Sequence, residues 1–311
     1  MASSRVRLGT VPAGGMTEGI RMTKKIWLAD GMLLLTALIW GSGFVFMKNS
    51  LDSFPPGAII AMRYAIGSVL AALIFRKHLR GLTRGDVARG ALVGLLLSSA
   101  YIVQTIGLDH TTAGRNAFLT TVYVLLVPLS SWLIFRQRLR RSTLIAAALM
   151  LTGIGLLSLD GESGGLNAGD VLTLCAGCLF AAHIMAVDRF HQKTNVYALI
   201  VLQFAFSSVI ALLYTLLFER GQALSFTPTS VGGLLYLSVV STTIAMSLQN
   251  IGQSMAPASH ASILLSLESV FGALFSCLLL GERMTPQVLL GFAVIFCALL
   301  INGLAGEKEA K

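Results

Sequence analysis

Ten times along the chain, apolar residues run on for roughly 18 to 22 positions, the length at which a helix crosses a hydrocarbon core. These runs lie near residues 30–49, 57–75, 87–107, 114–135, 142–159, 170–188, 196–217, 230–251, 258–280 and 286–304. They predict an all-α integral membrane protein with ten transmembrane helices and leave almost no chain for a soluble domain. Punctuation between the runs agrees. Asp30 stands as a cap before the first, and Pro55-Pro56 ends one helix and starts the next. Gly90-x-x-x-Gly94, followed by Ser98, makes a small face on which a neighbouring helix can pack closely. The stretch Asp160 to Asp170 is acidic and Gly-rich and lacks Lys and Arg, which predicts a flexible outer linker.

The second half of the pattern retraces the first. At an offset of 140, Asp30, Leu34, Ala58, Ile60 and five further positions up to Leu73 meet identical residues, and Trp40, Arg63 and Tyr64 meet Phe180, Gln203 and Phe204. At an offset of 145, Gln104, Ile106 and Gly107 meet Gln249, Ile251 and Gly252, and the register holds without gaps to Ala148. Five helices per half is an odd number, so the second half is expected upside down relative to the first. Inverted repeats of this kind place a substrate site at mid-membrane between the halves. The expected divisions are a disordered cytoplasmic tail at 1–29, a five-helix repeat at 30–160, an outer linker at 161–169, a second five-helix repeat at 170–305 and a short cytoplasmic tail at 306–311. No cleavage site follows an apolar run near the N-terminus, and Met16 and Met22 are alternative starts.

Composition sharpens this picture. Of the 311 residues, 55% are hydrophobic and 12% charged, about half the charged share of a soluble domain. The net charge of +9 would suit a nucleic-acid binder, but its distribution does not. With alternating helices, 18 of the 23 Lys and Arg fall on one side, in the N-terminal tail, at Arg76–Arg89, at Arg136–Arg141, at Arg189 and Lys193, and at Lys308 and Lys311. The positive-inside rule then puts both the N- and C-termini in the cytoplasm, and no nucleic-acid partner is expected. Cys175 and Cys178 have the spacing of a metal or redox pair, yet they sit in an apolar run without a second pair and read as small filler. No metal site and no cofactor are expected. The sequence lacks a Gly-x-x-x-x-Gly-Lys-Ser/Thr loop, so transport energy would come from a gradient.

Trp40-Gly-Ser-Gly-Phe44, Arg63-Tyr64, the stretch Gln104 to Pro128, and above all Ala256 to Arg283 with its closing Leu280-Gly-Glu-Arg283 resemble the drug/metabolite transporter superfamily, in its ten-helix EamA-type exporter branch. The resemblance covers residues 30–304. It implies two inverted five-helix EamA-type repeats and export or exchange of small metabolites such as amino acids, amines or related solutes. It also implies a bacterial inner-membrane location, with the lipid bilayer and a small-molecule substrate as partners, as monomer or homodimer. Two departures stand out. Glu268 is followed by Ser269 where the family often has Pro, and the first repeat ends Arg136-Gln-Arg138 rather than Gly-Glu-Arg.

Glu268 is the leading candidate residue, because a carboxylate at membrane depth costs roughly 2.5 kcal/mol or more on insertion scales. It serves a cation, an amine or a coupling proton, or else it is a structural acid held by Ser266 and Ser269. Its counterpart at offset 145 is Tyr123. Arg63 either holds a substrate carboxylate or locks its helix through a carbonyl or through Glu268. His183 either relays protons or packs as a satisfied histidine. Gln104 and Gln249 form a symmetric pair of gates or make helix-end hydrogen bonds. Trp40, Tyr64, Tyr101 and Tyr123, with Asn116, lie on helices expected to wall a cavity, although interfacial belts explain some aromatics equally well. Arg115 and His260, equivalent at offset 145, read as solvated. The expected activity is therefore secondary transport by alternating access. The alternatives are a nucleotide-sugar or lipid-linked-sugar carrier, an intramembrane enzyme, or a structural membrane subunit. An enzyme would require a convergent pair of acids or metal ligands that the runs do not offer.

Overall fold

Why the helices end where they do is written in short polar signals. Thr83 caps one helix by accepting from the Asp86 amide while Asp86 reaches back to the Thr83 amide. The same reciprocal box closes at Asn167 with Asp170 and at Thr227 with Ser230. Gly81, Gly221 and Gly281 adopt positive φ in the turns, where a side chain would be strained.

The computed structural model describes residues 13–135, 141–158, 166–256 and 258–307, with side chains from residue 26 to 301 apart from 131, 134, 135, 143, 157, 158, 259 and 299. The expected tails at 1–12 and 308–311, the arginine-rich stretch 136–140, and residues 159–165, which hold most of the expected linker, lie outside the described residues. Helix α1 (Ala13–Leu51) begins within the stretch assigned above to the tail. It is followed by α2 (Pro56–Phe75), α3 (Arg84–Asp109), α4 (Ala113–Thr120), α5 (Tyr123–Phe135) and α6 (Arg141–Ser158). The remainder comprises α7 (Ala168–Phe190), α8 (Val196–Phe218), α9 (Pro228–Leu235), a π-helical segment (Tyr236–Ile244), α10 (Ala245–Gln253), α11 (Ala258–Leu280) and α12 (Pro286–Glu307). The described secondary structure is all helical.

Among the described residues, seven stretches are long and apolar enough to cross a bilayer, namely Ile26–Leu51, Pro56–Ile74, Arg84–Asp109, Ala168–Phe190, Val196–Phe218, Pro228–Gln253 and His260–Leu280. Two shorter apolar helices cover 144–156 and 286–298. Large apolar side chains such as Trp27, Leu73, Leu133, Leu151, Phe218 and Leu278 are exposed around the outside, as lipid contact demands of a multi-pass membrane protein. The fourth apolar run departs from a plain helix. It breaks at Thr121-Val122 into α4 and α5, and Thr121 Oγ1 donates to Phe118 O at the break.

Helix pairing follows a regular scheme. α2 packs along α8, α6 along α12, α3 along α7 and α8, α1 along α11 and α10, and α4 along α11 and α7. Small residues let these backbones meet. A Cβ built on Gly41 of α1 would lie 2.4 Å from Phe271 Cβ and 2.9 Å from the Gly272 amide of α11. The face expected at Gly90 and Gly94 takes α8. Added Cβ atoms there would meet Leu202 Cβ and the Gln203 carbonyl, and Ser207 Oγ donates to Gly94 O at 2.9 Å.

Candidate functional site

A cavity of about 640 Å³, counting its mouth, opens where α1, α2, α3, the α4–α5 break, α7, α10 and α11 converge. Its lining pairs residues from the two offsets in the sequence. Trp40 and Phe180 line it, as do Phe44 and Ile184, Tyr101 and Met246, Gln104 and Gln249, and Thr120 and Leu265. Tyr123 and Glu268 complete the set, and they touch: the Tyr123 hydroxyl donates to Glu268 Oε1 at 3.1 Å. Tyr123 sits at the first position of α5, beside the break, so the discontinuity carries the phenol to the carboxylate. Ser266 and Ser269, the hydroxyls expected to hold Glu268, turn instead to Ile263 O and Ser266 O of their own helix.

Arg63 is 1% exposed and lines the same cavity. Its Nε donates to Thr242 Oγ1 at 2.7 Å and its Nη2 reaches Ser241 Oγ at 3.4 Å. The guanidinium carbon stands 4.6 Å from the Tyr101 ring centroid and 5.4 Å from that of Tyr64. Hydroxyls and aromatic faces therefore hold this buried cation, rather than the carbonyl or Glu268 contact considered from sequence. Both hydroxyls belong to the π-helical segment, where Trp40 Nε1 also donates to Ser241 O at 3.1 Å. π-Helical turns are rare and concentrate at functional sites.

Eight of the ten candidate residues line the cavity: Trp40, Arg63, Tyr101, Gln104, Tyr123, His183, Gln249 and Glu268. Tyr64 stands one layer back, fully buried between Tyr101 and Phe204, with its hydroxyl 3.5 Å from Met246 Sδ. Asn116 is also behind the wall, donating to Thr173 Oγ1 at 2.7 Å and to Gln104 O at 3.3 Å. Gln104 Nε2 donates to Thr120 Oγ1 at 3.0 Å, whereas Gln249 Nε2 donates to Gln253 Oε1 at 2.8 Å. The two amides thus have different partners.

Arg115 corrects an expectation of solvation. It is 3% exposed and forms an ion pair with Asp170, which is 0% exposed, with Nε 3.2 Å from Oδ1. Desolvation is tolerable because Thr111 Oγ1 also donates to that carboxylate at 2.7 Å, and the Asn167 amide does so at 3.1 Å. His260 is partly exposed, and its Nε2 lies 2.7 Å from Asp30 Oδ1.

Two acids just beyond the ends of apolar runs prove to be clamps. Glu219, the C-cap of α8, accepts from the Gly57 and Ala58 amides at the start of α2, at 2.8 and 3.2 Å. Glu282, just past the positive-φ Gly281, accepts from the Ala113 and Gly114 amides at the start of α4, at 2.7 and 3.1 Å. Each carboxylate satisfies orphan amides of another helix and meets the positive end of its dipole. A second missed group is a set of buried amides, Gln203, Asn250 and Gln253. Three amides within five residues, at Gln249, Asn250 and Gln253 of an apolar run, were the signal for it.

Comparison with known proteins agrees with this architecture. The EamA-like transporter family matches residues 27–159 and 167–304. An uncharacterized transporter of Archaeoglobus fulgidus is 34% identical over 303 residues, covering 96% of this chain and 92% of that protein. A probable amino-acid metabolite efflux pump of Salmonella typhimurium is 26% identical over 289 residues, covering 88% of this chain and 94% of its own length. A solved crystal structure shares the fold with a TM-score of 0.69 at 16% identity, over 91% of this chain and 99% of that one.

Proposed function

The chain belongs to the EamA-like transporter family, and from that premise we propose that it is a secondary transporter exporting small organic metabolites by alternating access. Its proposed cargo is an amino acid, an amine or a related solute, and its location a bacterial inner membrane. The observation that carries this reading is the cavity itself: matched positions from both halves line it and meet at the Tyr123–Glu268 hydrogen bond. A site at the seam of two halves can be exposed to either side when the halves rock.

Several features support the finer architecture, ten membrane helices in two inverted repeats with cytoplasmic termini. The pairing scheme is unchanged when each half is exchanged for the other: α2 lies on α8 and α6 on α12, while α1 on α11 mirrors α7 on α4. Taking α4 with α5 and α9 with α10 as single broken spans brings the helices to five per half. The cargo class is supported by the name of the Salmonella relative and by the lining, in which aromatic walls surround one carboxylate and one guanidinium. Such a lining suits a solute of modest size with few charges. Glu268 is the proposed site for the cargo's cationic group or for a coupling proton.

Purified protein tests the proposal. A panel of amino acids and amines is scored by thermal stabilisation, and the hits are then assayed for counterflow in proteoliposomes, with and without a pH gradient. Counterflow of a stabilising ligand is expected. A panel that neither stabilises the protein nor exchanges across the bilayer would sink the reading, and flux indifferent to the gradient would remove proton coupling from it.

A further inference from the structure

Behind His183 the protein builds a one-way chain of hydrogen bonds. His183 Nε2 lies 2.9 Å from Gln203 Oε1, and Gln203 Nε2 donates to Asn250 Oδ1 at 2.9 Å. Asn250 Nδ2 donates to Gln249 Oε1 at 3.0 Å, and Gln249 Nε2 to Gln253 Oε1 at 2.8 Å. Two backbone carbonyls fix the direction. Gln253 Nε2 donates to Ile184 O at 2.7 Å and Asn250 Nδ2 to Met246 O at 2.8 Å.

A carbonyl can only accept, so Gln253 must turn its nitrogen to Ile184 O and its oxygen to Gln249. Gln249 must then offer nitrogen and leave its oxygen for Asn250, whose nitrogen is independently required by Met246 O. Asn250 is left with an oxygen for Gln203, and Gln203 with an oxygen for His183. Every amide in this chain has one consistent orientation, and both anchors demand the same one. The imidazole must therefore donate through Nε2. All five side chains are 1% exposed or less.

His183 is also a wall of the cavity, and among the described residues its Nδ1 neither bonds to a protein group nor counts among the sealed, unpartnered polar atoms. We propose that the amide chain locks His183 in the Nε2–H tautomer, so that Nδ1 stands in the cavity as a hydrogen-bond acceptor for an N–H group of an ammonium-bearing cargo. This rests on the carrier reading of the cavity and adds a second recognition element to Glu268. The carboxylate answers the cargo's charge, while the imidazole selects for a proton on its nitrogen. Quaternary ammonium ions carry the charge without the proton and satisfy only one of the two.

The test uses the full chain in lipid nanodiscs with 15N-labelled histidine, the His183 signals being assigned by their loss in His183→Gln. The expected spectrum shows the Nε2–H tautomer, and an Nδ1–H or mixed population overturns the proposal. Binding is then compared for 2-phenylethylamine and its N,N,N-trimethyl analogue. The primary amine is expected to bind roughly ten- to a hundredfold more tightly, the value of one hydrogen bond to a charged group. That preference should survive in His183→Asn, whose Oδ1 replaces Nδ1. It should fall to about twofold or less in His183→Gln, whose amide replaces only Nε2. No preference in the wild-type protein, or an undiminished one in His183→Gln, overturns the assignment. If tautomer and preference hold while no metabolite is exchanged in proteoliposomes, the transport reading fails and the imidazole assignment stands.

Discussion

The Tyr123 hydroxyl donates to Glu268 Oε1 across 3.1 Å, joining residues 145 positions apart at the wall of the central cavity. One member is a phenol at a helix break and the other a carboxylate in an unbroken helix. Replacing the acid by its amide keeps the shape and removes the charge. Glu268→Gln is expected to leave the protein folded and to slow transport roughly ten- to a hundredfold, the worth of one charged hydrogen bond. Counterflow rates alongside thermal unfolding check this. Unchanged kinetics would make the carboxylate purely structural.

Arg63→Lys is not a conservative change here. Lysine has one nitrogen and cannot bond Thr242 and reach Ser241 at once while keeping a guanidinium over Tyr101. A loss of about 1–3 kcal/mol in stability is expected from the broken hydrogen bonds and ring contact. Chemical unfolding in detergent measures it, and an unfolding midpoint equal to wild type would show the arginine to be held by nothing specific.

The buried pair of Arg115 and Asp170 predicts a large asymmetry. Asp170→Ala leaves a cation in a dry site and takes away the partner of Thr111 and of the Asn167 amide. Destabilisation of about 3–5 kcal/mol is expected, the cost of removing one partner of a buried ion pair. A cost below about 1 kcal/mol, the usual worth of an exposed pair, would mean water reaches the site.

Close helix crossings give the fourth prediction. Gly41→Ala drives a methyl into Phe271 Cβ and the Gly272 amide, and an overpacking cost of about 1–3 kcal/mol follows. Gly155→Ala, in a helix with nothing within 4 Å of the added atom, is expected to be neutral or stabilising by up to about 1 kcal/mol. Thermal unfolding of the two variants should move in opposite directions or at least differ clearly. Equal shifts would count against the α1–α11 contact.

The long apolar runs and the offset arithmetic made the main elements and the Tyr123–Glu268 partnership legible, because both depend on spacing alone. The hydroxyls holding Arg63 were not, since they come from a helix some 180 residues away, and neither was the Asp170 carboxylate paired with Arg115, which lies 55 positions off on another helix. Glu219 and Glu282 escaped for a related reason. A carboxylate in a polar turn looks solvated until the helix whose amides it covers is known. Tyr64 and Asn116 have the chemistry of a lining residue, but burial one layer back depends on packing that no local pattern encodes.

The π-helical segment has a consequence for how the halves diverged, if the proposed repeat holds. The caps Thr83 and Thr227 stand 144 residues apart, whereas Gln104 and Gln249, further along the same two spans, stand 145 apart. One more residue separates cap from amide in the second span, and Tyr236–Ile244 lies between them. A turn closed from i to i+5 rather than i+4 takes up one residue without turning the rest of the helix. The wide turn is then the scar of a single insertion, absorbed in place, so that Gln249 still lines the cavity as Gln104 does. Its remaining trace is local: it presents Ser241 and Thr242 to Arg63, for which α3 has no equivalent among the described contacts.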